Sequence, residues 1–175
     1  TGPRNILDSP RHYRFPDDLS LGSAQHICNV YFNLYASCRH GHPPLAALLQ
    51  LIEQHDIDAH AIDAIEVETY GGALRITNKS HPANLIDVQY SIPYCLALTA
   101  VAGSQTLVPL TAEVLAHDGV TELASKVTLS LNPTFDARFP AETLARVTVI
   151  RGGQRLVSDV TAPKGEATNP LSWAD

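Results

Sequence analysis

Ala64-Ile65-Glu66-Val67-Glu68-Thr69-Tyr70 alternates apolar and acidic residues and stops at Gly71-Gly72. The period of two puts Ile65 and Val67 on one face and Glu66 and Glu68 on the other, the pattern of a strand with one side buried and one in water. Downstream, Val127-Thr-Leu-Ser-Leu131 and Ala145-Arg-Val-Thr-Val-Ile150 alternate in the same way. Gly152-Gly153 then reads as a hairpin turn into Arg155-Leu-Val-Ser-Asp-Val160. Upstream, Leu45, Leu48, Leu49 and Ile52 recur at helical spacing and predict a helix from Pro43 to about His55. Ser91 reads as an N-cap, with Ile92 and Pro93 opening a helix to about Ala102 and Tyr94 in its first turn. Further helical segments are expected after Pro109, capped by Thr111, and over Val120 to Ala124. Asn29 to Tyr35 is aromatic-rich and alternates, which argues a strand, and Pro3 to Ser9 suits a short helix. Strands and helices do not alternate strictly, so the expected class is α+β: two layers, a largely antiparallel sheet and helices on one face.

The 175 residues fit one domain with a real core, being 45% hydrophobic and 17% charged. A net charge of -6 leaves no basic face for nucleic acid. Apolar runs such as Cys95 to Ala102 are too short to span a membrane, and Thr1-Gly-Pro-Arg opens no secretory segment, so a soluble cytoplasmic protein is expected. Cys28, Cys38 and Cys95 show no C-x-x-C spacing and suggest reduced thiols. The absence of Met suggests that Thr1 is not the natural first residue and that the chain is a fragment.

The chemistry concentrates in Asn33-Leu-Tyr-Ala-Ser-Cys38-Arg39-His40-Gly-His42-Pro43-Pro44, where a thiol, a guanidinium and two imidazoles precede a helix. A helix start offers free N–H groups and the positive dipole end, so a carboxylate or phosphate is the expected guest. Each residue also admits a plainer role. His42 suits a helix cap, Arg39 an ion pair, and Tyr94 a core position. His40 alternates away from His42 in an extended segment and reads as structural or exposed. Cys38-x-His40-x-His42 invites a metal, but alternation leaves only two ligands on one side and no third nearby in sequence.

Four segments in order resemble the C-terminal lid domain of the MmgE/PrpD family. Thr1-Gly2-Pro3 with Ile6-Leu7 is similar to its opening, and Tyr35-Ala-Ser-Cys-Arg-His-Gly-His42-Pro43 to its YPSCRHTHP signature. Gln89-Tyr-Ser-Ile-Pro-Tyr94 resembles its KFSLPY helix start, and Pro163-Lys-Gly165 with Asn169-Pro-Leu-Ser172 its PKGDPENPLS exit. The resemblance implies a single lid domain over residues 1–175 and an all-helical domain missing from this chain, in a full-length homodimer. It implies dehydration, decarboxylation or epimerisation of a small di- or tricarboxylic acid, with neither metal nor organic cofactor. Carried over, Cys38, His42 and Tyr94 would be catalytic, and Arg39, Asn33 and Ser91 would bind substrate. Asn33 stands where the family's dehydratases and decarboxylases commonly have Lys, and a neutral amide provides neither a cationic clamp nor a proton. That departure favours epimerase-like chemistry. Two other roles stay open: a stand-alone domain that binds a carboxylic acid, and an assembly domain without catalysis.

Overall fold

The computed structural model describes residues 30–117, 119–160 and 162–173. The Pro3 to Ser9 helix, Cys28 and the Thr1-Gly2-Pro3 opening lie outside them. Strand β1 (Ala64–Thr69) is internal to a four-stranded sheet that also holds β2 (Val127–Leu131), β3 (Arg146–Arg151) and β4 (Gln154–Val157), in the order β2-β1-β3-β4. Ile65 faces Val127 and Val149 across its two neighbours, and Val67 faces Leu129 and Val147. Ile65, Val67, Val147 and Val149 are fully buried. The opposite face carries ion pairs, Arg155 to Glu66 at 2.6 Å and Arg146 to Glu68 at 3.2 Å. The alternation in β1 therefore separates core from water as its sequence requires.

The expected α+β class holds, with a mixed sheet: β1–β3 and β3–β4 are antiparallel, and β1–β2 is parallel. A parallel partner needs a long crossover, and the chain between β1 and β2 supplies it with four helices. These are α2 (Gly71–Leu74), α3 (Leu85–Gln89), α4 (Ile92–Ala102) and α5 (Val120–Ser125). Helix α4 is apolar on all sides, the composition of a central helix, and its residues from Ile92 to Thr99 are buried. It packs against α5 and against α1 (His42–His55), whose Leu45, Leu48 and Leu51 reach the core beside β3. Asp56, at φ +47°, turns the chain out of α1. After Pro109 the segment capped by Thr111 is a 3-10 stretch, Ala112–Ala116, rather than an α-helix.

The strand expected over Asn29 to Tyr35 is not formed among the described residues 30–35. Its backbone is pinned to separate segments instead of one partner strand. Phe32 N–H donates to Gly165 O at 2.9 Å, and just beyond, Ala36 N–H donates to Leu107 O at 3.0 Å and Cys38 N–H to Gln89 O at 2.7 Å. No ladder forms, and Val30, Tyr31 and Phe32 are all exposed rather than alternating. Gly165 permits this anchoring: at φ +92° its Cβ would lie 2.5 Å from the Phe32 carbonyl oxygen. Three short helices, α2, α3 and α6 (Pro133–Asp136), were not expected from the pattern. Helix α3 begins at Asn84, whose side chain accepts from Asp87 N–H at 2.9 Å, while Asp87 accepts from Ala83 N–H at 3.1 Å. Helix α6 is capped by Asn132. Each is little more than a turn, too short for periodicity to register.

Candidate functional site

The signature enters α1 through a 3-10 turn, Arg39–Gly41. Gly41 N–H donates to Cys38 O at 2.8 Å, and His42 N–H donates to Arg39 O. Pro43 and Pro44 have no N–H to give. The backbone part of the expected anion site is thereby corrected, because Gly41 and His42 N–H are engaged and the two prolines have none. What remains there is side-chain chemistry.

Asn33, Ser37, Cys38 and Arg39 come together on one cleft of about 500 Å³, flanked by Tyr31 and Tyr90. Cys38 is half-buried and in no disulfide. The Arg39 side chain is 11% exposed. Its guanidinium stacks 3.9 Å from the Tyr31 ring centre and pairs through Nη2 with Glu166. Glu166 in turn accepts from Thr143 Oγ1 at 2.6 Å. Arg39 Nε and Nη1 have no hydrogen-bond partner, and neither does Ser37 Oγ. Burial lowers the Arg39 pKa, with Tyr31 and Tyr70 acting the other way. An arginine stays cationic through such a change.

His42 is 1% exposed and lines a neighbouring cavity of about 280 Å³, with Leu34, Ala46, Leu49 and Pro163 as apolar wall. Tyr35 lines both cavities, and its ring centre is 5.7 Å from that of His42. Burial depresses the His42 pKa, hydrogen bonding to the backbone at Ser37 and Tyr35 raises it, and the Arg39 charge lowers it again. The buried Nε2 of His42 has no hydrogen-bond partner. Buried polar atoms are nearly always paired, so an unpaired one calls for an explanation. Among the described residues such side-chain atoms fall on Ser37, Arg39, His42 and Thr99, three of the four within the signature.

His40 is held elsewhere. Its Nδ1 lies 2.7 Å from the Tyr70 hydroxyl, and its ring packs on Tyr70 and Phe139, which stack on each other at 4.6 Å. Burial and the charges of Arg75 and Arg39 lower its pKa. Gly72 makes room, since a Cβ there would come within 3.0 Å of the Tyr70 ring.

Ser91 and Tyr94 are also apart from the cleft residues. Ser91 Oγ donates to Lys79 O at 2.5 Å and accepts from Tyr94 N–H at 3.1 Å. Asn78 accepts from Ile92 N–H at 3.1 Å. Tyr94 is 1% exposed, and its hydroxyl donates to Val114 O at 2.8 Å. The α4 start thus has both N–H groups that flank Pro93 engaged, and it does not converge with the α1 start on an anion.

Sequence reading passed over Ser37, Tyr35 and Glu166. The first two stand inside the quoted signature, and Glu166 directly follows the Pro163-Lys-Gly165 motif, so proximity to those motifs was the available signal. Among the described residues no group of three or more His, Cys, Asp and Glu side chains converges on a point, and no helix is long and apolar enough to cross a membrane. No match was found among curated proteins. Residues 35–175 match the MmgE/PrpD C-terminal domain, and the chain belongs to the MmgE/PrpD family.

Proposed function

We propose that this domain covers the active site of an enzyme that moves a proton at a carbon beside a carboxylate of a small di- or tricarboxylic acid, with a helical domain completing the site. The observation that carries this reading is the buried His42 with an unpartnered Nε2 and a lowered pKa, one short turn from the guanidinium of Arg39. A neutral imidazole with one bare nitrogen is a general base, and a low pKa keeps it unprotonated at neutral pH. Arg39 Nε and Nη1, Ser37 and Asn33 hold the carboxylate, which lowers the energy of the carbanion-like charge that develops beside it. Cys38, on the same cleft, sits where it meets the bound acid.

Tyr94 and Ser91 serve the frame rather than the chemistry, because each has its polar groups engaged within the core. Asn33 offers an amide in place of a cation, which supports epimerisation over dehydration or decarboxylation. The test is His42→Ala in the complete protein, assayed for exchange of the acidic hydrogen of its substrate in deuterated water. Exchange at the wild-type rate removes His42 from the mechanism.

A further inference from the structure

The signature divides its polar groups between two spaces of different character. The larger cleft contributes one cation, Arg39, and that charge is already paired with Glu166. An arginine so held still presents one fork, since each Nη carries two hydrogens and Nε a third direction. It suits a single carboxylate. Among the described residues, nothing on that cleft supplies the second or third positive charge that several carboxylates would require.

Beyond Tyr35 the smaller space is walled by Leu34, Ala46, Leu49 and Pro163, with His42 and Gln50 at its side. Its charged rim residues, Glu53 and Lys164, are of opposite sign and give no excess of either. Hydrocarbon laid against these apolar walls is removed from water, which is favourable. Its volume, about 280 Å³, is near the lower end of small-molecule pockets.

From this juxtaposition we infer that the substrate is a hydrocarbon-substituted carboxylic acid. One carboxylate is held by Arg39, Ser37 and Asn33, and an alkyl or aryl substituent passes Tyr35 into the apolar space beside His42. This rests on the carboxylate reading above and narrows it. Any further carboxylate of the substrate is met outside this domain. Tyr35, shared by both spaces, is the specificity-determining side chain between them.

The experiment is calorimetric binding of three probes to the complete protein: succinate, 2-benzylsuccinate and tricarballylate (propane-1,2,3-tricarboxylate). The expected result is that benzylsuccinate binds about tenfold or more tighter than succinate, from burial of its ring, and tighter than tricarballylate. Leu49→Phe, and separately Ala46→Leu, fill the space from half-buried positions on α1. Each is expected to remove most of the benzylsuccinate advantage and to leave succinate binding unchanged. Equal binding of succinate and benzylsuccinate, or tightest binding of tricarballylate, overturns the inference while the carboxylate reading stands. A benzylsuccinate advantage that survives both filling variants also overturns it, because the ring then sits elsewhere. Binding that is absent, or indifferent to Arg39→Gln, defeats both readings.

Discussion

Two proline-bearing helix starts of this domain, those of α1 and α4, look alike in sequence and differ in how their polar atoms are used. At the α4 start, Ser91 binds Lys79 O and Tyr94 N–H, Asn78 takes Ile92 N–H, and the Tyr94 hydroxyl takes Val114 O. At the α1 start, Arg39 Nε and Nη1, Ser37 Oγ and His42 Nε2 are buried with no hydrogen-bond partner. A satisfied polar network stabilises and fixes a core, whereas unsatisfied buried donors and acceptors cost stability. That difference, invisible in residue type, is the ground for proposing a chemical role at the α1 start and a framework role at the α4 start.

The largest expected effect lies at the chemical start. His42→Ala should lower turnover of the complete protein by about a hundredfold or more, the scale of a lost general base. A loss of only a few-fold in steady-state kinetics, with the fold intact, would erase the contrast between the two starts.

Next in size is a dependence of stability on pH. The His42 pKa is below its unfolded value of about 6.5. The unfolded chain therefore binds the proton first as pH falls. Stability from this group is complete above the unfolded pKa and is lost as pH drops from there through the folded value. His40, also depressed, acts with the same sign. The slope per histidine cannot exceed about 1.4 kcal/mol per pH unit. Melting temperatures should fall between pH 7 and pH 5, and His42→Asn should flatten the decline. A domain that grows more stable over that window would contradict the burial of a neutral ring.

At the framework start the effects belong to stability alone. Tyr94→Phe leaves the buried Val114 carbonyl without its donor and should cost about 1–2 kcal/mol in denaturant unfolding. Turnover per folded molecule should be unchanged, and a selective loss of turnover would return Tyr94 to the chemistry. Ser91→Ala removes the cap and should cost about 1 kcal/mol. A larger loss of activity than of stability in that variant would likewise place the α4 start against substrate.

Alternation in β1 and the helical spacing of Leu45 and Leu48 made the sheet and α1 legible, because those elements bury one face and the period records which, although Leu49 lies at the half-buried edge of the α1 face. Periodicity could not reveal α3 and α6, whose caps at Asn84 and Asn132 govern a single turn. The segment before the signature misled for a different reason. Tyr31 and Phe32 have strand-like composition, yet their exposure and the bond from Phe32 to Gly165 depend on the distant tail. Residue types singled out Cys38, Arg39, His42 and Asn33, which line the two adjoining cavities. Spacing alone could not say that Arg39 would already hold Glu166, or that His40 would turn to Tyr70, since both partners come from far along the chain.

The most direct measurement is the titration of the His42 imidazole by ¹⁵N magnetic resonance. The expected spectrum at pH 7 is that of a neutral ring with its proton on Nδ1 and Nε2 bare, and with a pKa below 6.5. A ring that is protonated at pH 7, or that carries its proton on Nε2, would contradict the assignment of His42 as the base at the start of α1.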